Sequence, residues 1–252
     1  MKKEIVHIDP LTSLKEFTAA RIAIGRAGTS IPVKESLQFK LAHAHARDAV
    51  YSVLAVDRLI TGLKIFNLPV LHLHSQAIDR HKYLKRPDLG RQLEQASEEQ
   101  LKTHNSKHDV VIIIADGLSA EAVNENAADL LKLLLPKLQQ SKLNIAPLCL
   151  VEQGRVAVGD DIGFGLKATL SIILIGERPG LSSADSMGAY LTYHPKPGLT
   201  DESRNCISNI RPLGLKAEPA ADKIFYLVME AFKRKLSGVG LKDDLVIGSL
   251  GH

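Results

Sequence analysis

A run of apolar residues, Ile172-Ile173-Leu174-Ile175, ends in a turn that carries both signs of charge, Gly176-Glu177-Arg178-Pro179-Gly180-Leu181-Ser182-Ser183. Strand ends in α/β sheets are where ligands bind, and the residue types here suit that task. Glu177 can accept hydrogen bonds from amide or hydroxyl groups, and Arg178 can pair with a phosphate or a carboxylate. Pro179 fixes one backbone angle, while Gly176 and Gly180 let main chain approach a ligand closely. An exposed charged loop is the plain alternative; the position at a strand end favours binding. A second polar segment, Arg204-Asn205-Cys206-Ile207-Ser208-Asn209-Ile210, holds a cysteine. Cys206 would be a nucleophile only if Arg204 stabilised its thiolate, and a packed, half-buried thiol is the simpler reading.

Other candidates for chemistry are weaker. Asp116-Gly117-Leu118-Ser119 follows a β-branched run and precedes a helical pattern, a place where free N–H groups and the helix dipole attract anions. It lacks G-x-G-x-x-G and a P-loop lysine, and Asp116 would repel a phosphate. A stand-alone enzyme acting on a nucleotide or phosphate ester through Asp116 and Ser119 is the rival reading that this turn supports. Asp79-Arg80-His81 has a superficial likeness to the D-x-H-x-x-G pattern that ligates cobalt through histidine, but Leu84 stands where the glycine belongs. His72 and His74 would share one face of a strand, and two ligands without a third make a poor metal site. With no H-E-x-x-H, no Cys/His cluster and no G-x-S-x-G elbow, neither a metal site nor a catalytic residue is assigned to this chain.

The elements that must position these residues follow from pattern. The 252 residues are enough for a substantial core. Net charge is +4, a mild excess that a solvated surface absorbs, and nucleic-acid binding is not expected. Cys149 lies in an apolar run and, with only one other cysteine present, no disulfide framework is expected, which fits a reducing interior. The leader Met1 to Pro10 lacks the apolar core of a signal peptide, and no stretch approaches a membrane span. A cytoplasmic protein without a membrane partner is the expectation.

The first hundred residues read as helical. After Thr29, Ser30 and Pro32, the residues Phe39, Ala42, Ala46, Ala49, Val50 and Val53 fall on one helix face. Lys40, His43 and Arg47 line another, either a solvated basic side or the surface of a pure interaction module. Pro87 and Gly90 interrupt the following segment, and Gln95 to His108 reads as a helix end and linker. From Asp109 strand and helix alternate. Strands are expected at Val110–Ala115, Ala146–Val151 and Thr169–Ile175, and a helix from Ala120 that ends before Pro136. A late amphipathic helix carries Ile224, Leu227, Val228, Ala231 and Phe232. The expected fold is α/β, a Rossmann-like, mostly parallel sheet domain (106–252) preceded by a smaller helical N-terminal region (1–105).

Five segments in this order carry a resemblance: Arg21 to Ser30 (RIAIGRAGTS), Tyr83 to Arg91 (YLKRPDLGR), Ile114 to Ser119 (IADGLS), Gly176 to Gly180 (GERPG) and Arg204 to Ile210 (RNCISNI). Together they resemble the small (light) subunit of ethanolamine ammonia-lyase, from about Arg21 to the late helix near Leu236. The resemblance implies an adenosylcobalamin-dependent lyase that converts ethanolamine to acetaldehyde and ammonia by radical chemistry. It implies a hetero-oligomer in which a TIM-barrel large subunit supplies the substrate pocket, the small subunit helps enclose the cobalamin, bound base-on, and is inactive alone. The cobalamin contacts implied for this chain are Val156, Glu177 and Cys206. Some family members carry a long N-terminal extension linked to packaging in a bacterial microcompartment; here only a short leader precedes Arg21, which speaks against that route.

Overall fold

Every second residue of the segment His108–Ala115 faces a different core, and that alternation organises the molecule. In the computed structural model, Val110, Ile112 and Ile114 pack into one apolar cluster and Val111, Ile113 and Ala115 into another, all of them buried. A strand apolar on both faces must lie inside a sheet covered by helices on both sides. The structure describes residues 6–18, 20–104 and 106–243. The start of the leader and the last nine residues of the stretch expected to run to His252 lie outside the described residues.

In chain order the elements are β1 (Val6–His7), β2 (Arg26–Ala27), α1 (Val33–Val50), α2 (Val56–Leu63), β3 (Val70–His74), α3 (Arg80–Lys85), α4 (Gln95–Lys102) and β4 (His108–Ala115). There follow α5 (Ala120–Gln140), β5 (Leu148–Glu152), α6 (Val158–Gly165), β6 (Ala168–Gly176), β7 (Met187–Tyr193), β8 (Arg204–Ile210) and α7 (Ala217–Arg234). β1 and β2 form a small antiparallel pair, and the other six strands form one mixed sheet in the order β3-β5-β4-β6-β7-β8. The pairings from β3 through β6 are parallel, and β7 and β8 are added antiparallel. The fold is therefore α/β around a mixed sheet. α2, α5 and α7 cover one face, and α4 and α6 the other.

The chain leaves β4 through α5 to reach β5 on one side, then crosses through α6 to β6 on the other. The order of strands thus reverses about β4, which opens a crevice above the carboxyl ends of the strands. The turns after β4 and β6 meet there.

Several expectations change. The helix from Ala120 does not stop at Pro136 but runs to Gln140. Pro136 removes one intrahelical hydrogen bond, but it and Lys132, whose carbonyl loses its partner, both face solvent. Buried Leu134, Leu135 and Leu138 carry the helix onward. The stretch read as helix end and linker contains α4, anchored by buried Leu101. Val70–His74 supplies the sheet with an edge strand, paired from Val70↔Leu148 to His74↔Glu152, so residues before 106 provide strand as well as helix. α1 forms, but its expected apolar face is not a core face. Only Ala49 is buried, Phe39 is 48% exposed, and Val53 lies beyond the helix. A second stripe, Val33, Leu37 and Leu41, is also exposed.

Because Ile112 sits at the centre of the sheet with no exposed surface, Ile112→Ala should lower the unfolding free energy by about 2–5 kcal/mol. Urea denaturation checks this, and a loss below about 1 kcal/mol would contradict the assigned core.

Candidate functional site

Two glycines let the turns above β4 and β6 touch. Gly117 has a positive φ of 57°, and Gly176 ends β6. A Cβ on Gly117 would overlap the Gly176 carbonyl, and one on Gly176 would overlap the Ser119 carbonyl. The approach is sealed by the Leu118 N–H, which donates to Gly176 O at 2.9 Å.

Asp116 sits directly beneath. Its carboxylate accepts the N–H of Gln153 at 2.9 Å and of Gly154 at 3.0 Å, with Arg80 Nη1 3.8 Å away. Burial pushes its pKa up to about 6, against the pull of these N–H groups and of Arg80. Arg80 also donates to Gly117 O at 2.7 Å and to Val50 O at 2.6 Å. Ser119 caps α5, accepting the Ala122 N–H, and its hydroxyl donates to Ala184 O at 2.8 Å. Asp116 is a brace and Ser119 a cap. Both are buried, so the rival phosphate-ester chemistry has no open acid or nucleophile in this turn.

The loop after β5 brings Arg155 and Val156 to the crevice. Its support comes from the segment 83–91. The guanidinium groups of Arg80 and Arg155 lie over the ring of buried Tyr83, 4.6 and 4.4 Å from its centroid. Arg155 Nη2 donates to Tyr83 O at 3.1 Å, and the Arg155 N–H donates to Gly90 O at 2.7 Å. Burial raises the Tyr83 phenol far above its ordinary value, so it stays neutral.

Glu177 follows β6 directly. Its Oε1 accepts from Ser208 Oγ at 2.6 Å; its Oε2 accepts from Ser186 Oγ at 2.6 Å and from the Asn209 N–H at 3.2 Å. Gly188 leaves space for the carboxylate, since a Cβ there would lie 2.9 Å from Oε1. Tyr190 and Cys206 are paired directly across β7 and β8. Cys206 is exposed rather than half-buried, and partial desolvation against its neighbours pushes its thiol up. Arg204 does nothing to activate it, being bound to Asp160 of α6 by two hydrogen bonds of 2.7 and 2.8 Å. Burial raises Asp160, and Arg204 opposes that rise. Cys206 is thus a neutral contact surface.

A cavity of about 390 Å³ lies between these parts, lined by Leu118, Arg155, Val156, Glu177, Arg178 and Tyr190 among others. Of the residues singled out in the sequence, Val156 and Glu177 line it, and Cys206 borders it through Tyr190. Arg21 reaches the same region, donating to Leu181 O at 3.1 Å. His72 and His74 are elsewhere, at the edge strand, with His72 2.8 Å from Glu152. Among the described residues no three His, Cys, Asp or Glu side chains are grouped to hold a metal ion. A larger groove near the start of β6, lined by Leu101, Phe164 and Pro195 among others, includes none of the candidates. The sequence did not mark Tyr190, Ser186 or the bracing role of Asp116. Their partners are tens of residues away or across a strand pair, and the only local signal was an Asp whose charge would repel a phosphate.

The model of the family described as ethanolamine ammonia-lyase light chain matches residues 8–242. The chain is 50% identical over 246 residues to the ethanolamine ammonia-lyase small subunit of Azotobacter vinelandii, covering 96% of this chain and 91% of that one. It is 48% identical over 246 residues to that of Pseudomonas aeruginosa, covering 96% and 90%. The small subunit of Xanthomonas campestris is 50% identical over 240 residues, 94% and 88% of the two chains.

The Asp116 brace gives a pH signature. Its folded pKa of about 6 lies above the ordinary carboxylate value, so its stabilising contribution is full below about pH 4 and is lost as pH rises through about 6. Relative to Asp116→Asn, the unmodified chain should lose up to about 3 kcal/mol of stability between pH 4 and pH 7. Paired urea titrations across that range test this, and parallel curves would refute it.

Proposed function

This chain belongs to the ethanolamine ammonia-lyase light-chain family, and we propose that it is the small subunit of an adenosylcobalamin-dependent lyase that converts ethanolamine to acetaldehyde and ammonia. In this role the Rossmann-like part of the chain forms one wall of the cobalamin site, with Val156, Glu177 and Cys206 as contacts. A TIM-barrel large subunit forms the rest and holds the substrate, the two chains being part of a higher hetero-oligomer. Adenosylcobalamin, when bound, supplies the radical chemistry. This chain orients the cofactor and excludes water from one side of it.

The observation that carries the proposal is the composition of the cavity above β4 and β6. A corrin is a broad apolar ring fringed with amides, and it needs apolar contact and a few well-placed acceptors. Val156 and Tyr190 offer the first, and the Glu177 carboxylate the second. A cavity of about 390 Å³ takes only an edge of so large a group, which suits a site completed by another chain. Three ionisable groups of this region are engaged within the chain: Asp116 in its brace, Glu177 with three donors, Arg204 with Asp160. None is poised as an acid or base for substrate, in keeping with a chain that is inactive alone. On the same reading the enzyme works in the cytoplasm, with a bacterial microcompartment as the family's other setting. No helix among the described residues is long and apolar enough to cross a membrane.

Co-expression with the candidate large subunit, followed by an ethanolamine deamination assay with adenosylcobalamin, tests the assignment. Activity should require both chains, and full activity of the large chain alone would overturn it. In the assembled enzyme Glu177→Ala should raise the half-saturating cofactor concentration about tenfold or more, the worth of a hydrogen bond to a charged group. Unchanged affinity would remove Glu177 from the site.

A further inference from the structure

The Glu177 carboxylate is restrained more heavily than its place at the end of a strand requires. A carboxylate offers about four acceptor positions, and three are filled: one on Oε1 by Ser208, two on Oε2 by Ser186 and the Asn209 N–H. These donors come from two different elements, the residue preceding β7 and the end of β8. They are themselves fixed. The Glu177 N–H donates back to Ser186 O at 2.9 Å. Asn209 holds a positive φ of 61°, and its Oδ1 accepts from Arg211 Nε at 2.7 Å. Arg211 in turn donates to Ser182 O at 3.0 Å, within the loop that follows Glu177. A free glutamate side chain loses rotamer entropy on being ordered; here the folded chain has already ordered it.

We propose that Ser208 and Ser186 are positioning residues that preset the Glu177 carboxylate, leaving one acceptor position on Oε1 for a ligand. The group recognised there is then a single N–H or O–H donor, such as a primary amide on the rim of a macrocycle. A guanidinium that needs two parallel acceptors does not fit, and an anion is repelled. The proposal rests on the reading of Glu177 as a cofactor contact. Neither serine touches the ligand; each acts through Glu177.

The test uses the assembled two-chain enzyme with adenosylcobalamin. Ser208→Ala should raise the half-saturating cofactor concentration about three- to tenfold, the loss of one hydrogen bond's worth of preorganisation, with turnover at saturating cofactor changed by less than about twofold. Ser208→Thr, which keeps the hydroxyl, should restore affinity. In a Glu177→Ala background, Ser208→Ala should have no further effect. If Glu177→Ala weakens the cofactor but Ser208→Ala does not, the positioning role falls while the contact stands. An equal penalty from Ser208→Ala with and without Glu177 also sinks it, because the serine would then act on its own. No effect from Glu177→Ala overturns the contact and the proposal together. Melting temperatures of the same complexes separate these outcomes from loss of fold.

Discussion

Burying the Asp116 carboxylate is tolerable only because two backbone N–H groups, from Gln153 and Gly154, and the Arg80 guanidinium face it. An unpartnered charge at that depth would cost several kcal/mol. The arrangement fixes the distance between the turn after β4 and the loop after β5, and so sets where Arg155 and Val156 stand. Arg80 extends the same constraint to the end of α1 through Val50 O and to the turn itself through Gly117 O. This group and the Tyr83 and Gly90 contacts to Arg155 together hold the cavity's near side.

The five segments that suggested a family are scattered through the chain, and the structure gives each a mechanical part in one region. Tyr83 and Gly90 support Arg155; Asp116 ties two strand ends; Gly176 admits Gly117 against it; Glu177 gathers Ser186, Ser208 and Asn209; Arg21 holds the loop at Leu181. Few of these contacts are apolar. The core beneath is ordinary close packing, whereas the crevice is held by hydrogen bonds whose geometry is directional. That division lets the region present a defined surface without being filled.

How much of this could be read from residues alone depended on the range of the interaction. β4 and β6 were legible because strands buried on both faces are written as unbroken apolar runs. The turn that ends β6 was legible too, since Gly-Glu-Arg-Pro-Gly combines turn formers with charge after an apolar run. Glu177's partners were not. Ser208 is 31 residues away and meets it only through two antiparallel pairings, with an irregular register between Met187 and Ala189. The Asp116 brace joins residues 37 and 38 apart across a crossover helix. Pro136 misled because a local rule about proline ignores whether the lost hydrogen bond faces water. In α1 the expected face misled because apolar residues lie on opposite sides of the helix, Phe39, Ala42 and Ala46 on one and Val33, Leu37 and Leu41 on the other, so no single face was marked for the core.

That last helix makes the molecule mechanically uneven. α1 spans eighteen residues yet buries only Ala49, so almost none of its backbone hydrogen bonding is backed by side-chain packing within the chain. Helical propensity alone sustains a helix of this length marginally in water. Amide protons along α1 therefore exchange through local fraying, at an opening free energy well below that of β4, whose amides exchange only when the sheet itself comes apart. The burial of side chains is thus unevenly distributed between the sheet and α1, and resistance to local opening should follow it.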